Sequence, residues 1–530
     1  MRRLLLTAVA ITATTSALAG IPAEVTVDSG ALAGTTGASS DAGRDARGRA
    51  TQGAVAEIRV FKGIPFAAPP VGANRWRAPQ PVAKWSGVRA ATEYAPRCMQ
   101  GGPGGPNANA PPTSEDCLYL NVWTTAESAN DRRPVMVWIY GGGFTGGAGS
   151  EPRYAGDGLA RKGAVVVTLN YRLGSLGFFA HPQLSAEAQS KTSGNYAMQD
   201  AIAALQWVQR NIAAFGGDPG NVTVFGESAG ANLTGALVAS PRAKGLFHRA
   251  IAQSGGYMGM AMARTGTLAR AEEAGAKAMA DAGIASIADA RAKPAADVLT
   301  ALRGPNLVVD GYWIPEDLSL TFAKGRQNAV DLLVGSNKDE GTFFARPGLT
   351  AERFTAQARQ RFGVLADEFL AEFPAADDEQ ASASYLKSFS DEATWAMREF
   401  AEAQAKQGNS AYVYYFTRVP PTLPDRPSRG ATHVAEIPYM FDNLAPPVPW
   451  TDVDRRLADV MSSYWVNFAR SGDPNGAGLP PWPAYRDAAS GQAQVLGDTI
   501  AAERQAGATP AALAFFDDAY QQLLKGGANQ

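Results

Sequence analysis

Asn221-Val222-Thr223-Val224-Phe225-Gly226-Glu227-Ser228-Ala229-Gly230 is the stretch that decides the fold. Asn221 to Phe225 is apolar and β-branched, and reads as a buried strand. Ala229 to Ala239 (AGANLTGALVA) is rich in Ala and Leu and reads as a helix. A strand, G-x-S-x-G and a helix describe a strained elbow that lifts a serine hydroxyl over the edge of a sheet. Side chains at Gly226 and Gly230 would collide with neighbouring backbone at so tight a turn. The pattern by itself is weak: with 56 glycines in 530 residues it arises by chance in roughly one such chain in three. Its partners must make the case.

A serine hydroxyl is a poor nucleophile at neutral pH and needs a histidine base, itself oriented by a carboxylate. The chain has three histidines, His181, His248 and His433. On a strand–elbow–helix the chain order is nucleophile, acid, base, so the base must follow the serine. His181 comes too early, and His248, just before a strand, reads as a structural hydrogen-bonding residue. His433, in the late loop Arg429 to His433, fits. The acid belongs between them, after a strand, and Ser336-Asn337-Lys338-Asp339-Glu340-Gly341 qualifies. Local reasoning does not separate Asp339 from Glu340. An oxyanion hole needs backbone N–H groups. Ala229 at the helix start supplies one, and Gly141-Gly142-Gly143-Phe144, after the apolar run Pro134 to Tyr140, offers others.

Further strands are expected at Leu118 to Trp123, Ala164 to Asn170, Arg249 to Gln253, Ala329 to Gly335 and Ala411 to Phe416. A helix is expected over Asn195 to Phe215, with Ile202, Leu205, Trp207, Val208 and Ile212 as its apolar face. The alternation argues an α/β protein with a mostly parallel sheet. Ala-rich helical stretches at 257–305 and 350–408 read as insertions. No repeat or linker marks a second domain, so residues 20–530 read as one.

Composition, with 45% hydrophobic and 18% charged residues, is that of an ordinary soluble globular chain. A formal net charge of −2 gives no reason to expect a nucleic acid or an anionic membrane as partner. Arg2 and Arg3, the apolar run Leu4 to Ile11 and the A-x-A site Ala17-Leu18-Ala19 read as a secretory signal peptide over residues 1–19. The apolar run is too short to span a bilayer, so no stable membrane anchor is expected and the mature chain should be secreted or periplasmic. Two cysteines, Cys98 and Cys117, in an exported chain suggest one disulfide. They and three histidines lack the clustering of a metal site, so neither metal nor cofactor is expected. Residues 34–53, rich in Gly, Ala and Ser, read as a flexible loop.

Together these stretches resemble the type-B carboxylesterase family, which includes cholinesterases and neuroligins. The resemblance rests on Phe61 to Gly72 (FKGIPFAAPPVG), Ser114 to Trp123 (SEDCLYLNVW), Trp138 to Phe144 (WIYGGGF), Asn170 to Phe178 (NYRLGSLGF) and Gly217 to Gly230. It continues through Gly335 to Phe344 (GSNKDEGTFF), His433 to Pro438 (HVAEIP) and Trp465 to Asn475. It implies an α/β-hydrolase fold with helical insertions and a serine esterase acting on small-molecule carboxylic esters. Carried over, it makes Ser228 the nucleophile, His433 the base and Glu340 the acid. It puts the oxyanion hole at Gly142, Gly143 and Ala229, and Glu227 and Ser254 around the triad. It also pairs Cys98 with Cys117, Arg172 with Asp200 and Arg75 with Glu115. The loop Met99 to Asp116 lacks the aromatic residue with which cholinesterases bind choline, which argues against choline esters. Hydrolysis of a carbamate, a lactone or a polyester-like xenobiotic is an alternative within the same chemistry. A neuroligin-like binding module is the alternative outside it, though that branch has lost the serine this chain keeps.

Overall fold

The computed structural model describes residues 21–37, 57–101, 110–257, 265–302, 304, 306–487, 489, 491–504 and 506–527. The signal peptide expected over 1–19 lies outside the described residues. So do residues 38–53 of the loop expected from 34. Within the stretch expected to be a loop, Thr35–Gly37 instead pairs antiparallel with residues 58–60 as an edge strand.

An 11-stranded sheet organises the molecule. In chain order its strands are β1 (Thr35–Gly37), β2 (Ile58–Pro65), β3 (Tyr119–Thr124), β4 (Arg133–Ile139), β5 (Val165–Leu169) and β6 (Gly217–Glu227). They continue with β7 (Arg249–Gln253), β8 (Asp331–Asn337), β9 (Ala411–Phe416), β10 (Ala493–Leu496) and β11 (Ile500–Glu503). The spatial order is β11-β10-β9-β8-β7-β6-β4-β5-β3-β2-β1. Every pairing from β5 across to β10 is parallel, and the strands at both edges are antiparallel. The central strands are buried along nearly their whole length, which is why they read as continuous apolar runs rather than alternating ones. This is the α/β-hydrolase fold.

Helices α1 (Tyr196–Asn211), α2 (Ala229–Ala239), α3 (Asp378–Ala405), α4 (Asp452–Ser471) and α5 (Pro510–Gly527) accompany the sheet. Helix α2 is apolar on nearly all sides because only Asn232 escapes full burial. The stretches 268–301 and 351–405 are helical as expected. Aromatic rings fill the space beside β4 and β6: Trp138 meets Phe225 at 4.9 Å and Phe441 at 5.1 Å. Among the described residues no helix is long and apolar enough to cross a membrane.

Two ion pairs lock loops to this frame. Arg172, just past β5, meets Asp200 on α1 at 2.7 Å, and its backbone N–H also donates to that carboxylate. Burial pushes Asp200 up, against the pull of Arg172. Arg75 grips Glu115 through two bonds of 2.7 and 2.6 Å and donates to the carbonyls of Ala290 and Lys293. It thereby fastens a helical insertion to the loop beside the disulfide. Cys98 and Cys117 are bonded, with S–S 2.06 Å.

Candidate active site

Parallel strands deliver their following loops to one edge of the sheet, and the candidate residues all lie there. Ser228 follows β6, Ser254 follows β7, Glu340 lies three residues after β8, and the glycine loop begins after β4. Ser228 has φ 56° and ψ −124°, a conformation non-glycine residues rarely hold. The elbow is closed by contact between backbones. A Cβ on Gly226 would come within 2.6 Å of Gly230, and one on Gly230 would run into the Ile139 carbonyl oxygen. The Ser228 N–H donates to the Gln253 carbonyl at 2.9 Å, tying the turn to the neighbouring strand.

The late loop brings His433 to Glu340, Nδ1 lying 2.6 Å from Oε2. Glu340 is held in turn: its Oε1 accepts from Ser254 Oγ at 2.5 Å and from the Asn337 N–H at 2.8 Å. Asp339 turns the other way and accepts the Ala431 N–H at 2.7 Å, pinning the acid loop to the histidine loop. Both carboxylates are therefore used, but only Glu340 meets the imidazole.

His433 Nε2 lies 3.1 Å from Glu227 Oε1, and neither atom has a hydrogen-bond partner among the described residues. Burial disfavours the imidazolium, yet the carboxylates of Glu227 and Glu340 outweigh it and raise the His433 pKa. Burial raises Glu227, His433 opposes that, and the nearby Glu436 adds to it. Glu436, which the sequence reading missed, is fully buried and accepts from Gln253 Nε2 at 2.9 Å and Asn337 Nδ2 at 2.7 Å. Its signal was present: a lone carboxylate between Ala435 and Ile437 in an otherwise apolar stretch.

Gly142 and Gly143 have φ 100° and 61° and face an open cavity. A Cβ on Gly142 would overlap the Gly146 carbonyl oxygen, and one on Gly141 would stand 2.7 Å from Glu227 Oε2. Ala229 is the first residue of α2, so its N–H has no acceptor within the helix. The cavity, about 1010 Å³, is walled by Ser228, His433, Glu227, the glycine loop, Phe343 and Phe344. Phe343 and Phe344 lie tilted against the His433 ring, with ring centroids 5.2 and 5.0 Å from it. Phe144 does not reach this cavity; it is buried against Phe178 at 4.8 Å. His248 is structural, its Nδ1 accepting the Val222 N–H. His181 caps the helix Pro182–Glu187, accepting the Gln183 N–H.

The model of the carboxylesterase family matches residues 42–510. The fumonisin B1 esterase of Sphingopyxis macrogoltabida is 38% identical over 488 residues, covering 88% of each chain. The para-nitrobenzyl esterase of Bacillus subtilis is 36% identical over 463 residues, covering 81% of this chain and 89% of its own. Among solved structures, a PNB esterase superposes with TM-score 0.74 at 34% identity, covering 91% of this chain and 97% of its own. A thermophilic PNB esterase gives TM-score 0.77 with the same identity and coverage.

Proposed function

The chain belongs to the carboxylesterase family and is a carboxylic ester hydrolase, and on that premise we propose that Ser228, His433 and Glu340 are its catalytic triad. The supporting observation is the 2.6 Å contact between His433 and Glu340, two loops 93 residues apart that meet beside the strained elbow. Ser228 Oγ attacks the ester carbonyl carbon while His433 Nε2 takes its proton. The carbonyl oxygen gains the electron pair and is held by the N–H groups of Gly142, Gly143 and Ala229. Collapse expels the alcohol, which receives the proton from His433. Water, activated by the same histidine, then cleaves the acyl-enzyme. Glu340 keeps the proton on Nδ1 and stabilises the imidazolium that forms. Ser228→Ala should lower kcat on p-nitrophenyl esters by on the order of 10⁴-fold or more. Full activity in that variant would remove the assignment.

The substrate is a small-molecule ester with a bulky acyl or alcohol part. In support, the cavity of about 1010 Å³ stands at the upper end of small-molecule sites. A panel varying acyl and alcohol size independently tests this: kcat/KM that peaks at acetate esters of methanol and ethanol overturns it. Residues 20–530 form one catalytic domain, a reading supported by the single main sheet to which all the site loops belong. The mature chain begins at Gly20 and is secreted or periplasmic, as supported by the N-terminal signal and by the disulfide. N-terminal sequencing of exported protein checks the cleavage point.

A further inference from the structure

Five of the seven residues from Gly141 to Gly147 are glycines, so this loop has few side chains with which to hold its own shape. Its first half is fixed by backbone hydrogen bonds. The Gly142 carbonyl accepts the N–H groups of Thr145 and Gly146, and the Phe144 carbonyl accepts the Gly174 N–H. Its second half is held by a residue from a different part of the chain. Gln100 Oε1 accepts the Gly147 N–H at 3.1 Å, and Gln100 Nε2 donates to the Gly147 carbonyl at 3.1 Å. One flat amide thus pairs with both backbone groups of a single glycine, as a neighbouring strand would. The same Nε2 donates to the Cys98 carbonyl at 2.9 Å. Cys98 is itself fixed by the bond to Cys117 and by pairing of Arg97–Cys98 with Thr113–Ser114.

We propose that Gln100 is a positioning residue for the oxyanion hole, transmitting the rigidity of the disulfide-closed segment to the glycine loop. The contact reaches the hole because Gly146, next to Gly147, occupies the space where Gly142 would carry a Cβ. Gly146 also donates its N–H to the Gly142 carbonyl at 3.2 Å, so a shift of Gly147 passes through Gly146 to the backbone of Gly142. Donors of this kind act on the charge that develops in the transition state, and a displacement of about 1 Å costs roughly 100-fold. The inference rests on the reading of Ser228 and the glycine loop given above.

The test compares Gln100→Leu and Gln100→Glu with the unaltered chain. Leucine removes all three polar contacts. Glutamate keeps the size and one acceptor but sets a carboxylate against the Gly147 and Cys98 carbonyls. The readouts are kcat and KM on a p-nitrophenyl ester, melting temperature, and the affinity of an aryl trifluoromethyl ketone. Addition of Ser228 Oγ to that ketone forms a C–O bond, sends the serine proton to His433 and leaves an oxyanion in the hole. Both variants should lose about 10- to 100-fold in kcat, lose inhibitor affinity by a similar factor, and keep KM within about threefold. The melting temperature should stay within about 2 °C. Unchanged kcat and inhibitor affinity overturn the proposal, as does a change confined to KM, which would make Gln100 a substrate contact. Failure of both variants to fold also overturns it, since Gln100 would then hold the fold and not the hole. An active Ser228→Ala variant, by contrast, removes the reading of the site itself.

Discussion

At His433 two opposing effects meet. Burial lowers the pKa of the ring, while the carboxylates of Glu227 and Glu340 raise it and win. A general base must be neutral to accept a proton, so activity should rise with pH through this raised value. Glu227→Gln removes a cause of the raise and should move the acid limb of the kcat/KM profile to lower pH, by about one unit. A limb that stays in place or moves upward contradicts the assignment of His433 as base with Glu227 as its electrostatic neighbour. The sign for stability follows from the same shift. The folded chain holds this proton more tightly than the unfolded one. The contribution is therefore complete below the ordinary imidazole pKa of about 6.5 and is lost as pH rises through the folded value. At Gly142 the constraint is steric. Gly142→Ala puts a Cβ into the Gly146 carbonyl oxygen at φ 100° and should lower kcat by about 100- to 1000-fold and stability by about 1–3 kcal/mol, read from kinetics and a denaturant titration.

Among the elements, α2 and the Arg172 loop show how the sheet is turned into a site. Helix α2 begins at the elbow and packs so closely that Gly230 touches the β4 backbone, leaving no room for any side chain. The Arg172–Asp200 pair is buried on both sides, 4% and 0% exposed, so removing one partner strands the other in a dry interior. Asp200→Asn should lower unfolding free energy by about 3–5 kcal/mol in a denaturant titration. A loss under about 1 kcal/mol would mean that asparagine satisfies the guanidinium equally well. The exposed Lys277–Asp281 pair serves as the contrast, because its charges stay hydrated and Asp281→Asn should change stability by less than about 0.5 kcal/mol.

Over the whole molecule, the disulfide spans a sequence separation of 19 residues and supports the segment that carries Arg97 and Gln100. Replacing both cysteines by alanine should cost about 3 kcal/mol of stability by the chain-entropy argument, read as a lower denaturant midpoint. The fold and most of the site were legible without coordinates, because both depend on local patterns. Buried parallel strands read as apolar runs, the elbow as G-x-S-x-G, and the three roles as chain order among a few candidate residues. The edge strand Thr35–Gly37 was not legible, since a glycine- and threonine-rich strand is recognisable only by what it pairs with. Nor was the distinction between Asp339 and Glu340 by local reasoning: adjacent carboxylates have the same chemistry, and only the loop's path sends one to Ala431 and the other to His433. Glu227 facing Nε2, Glu436 beneath it and Gln100 holding the glycine loop were likewise settled by the fold. By itself the sequence determined the sheet, the elbow and the candidate serine, histidine and acid loop, because each is written in residues near one another or in their order. The tertiary structure alone decided which charges face the imidazole and what braces the oxyanion loop. Those contacts join segments tens to hundreds of residues apart, and no local pattern records them.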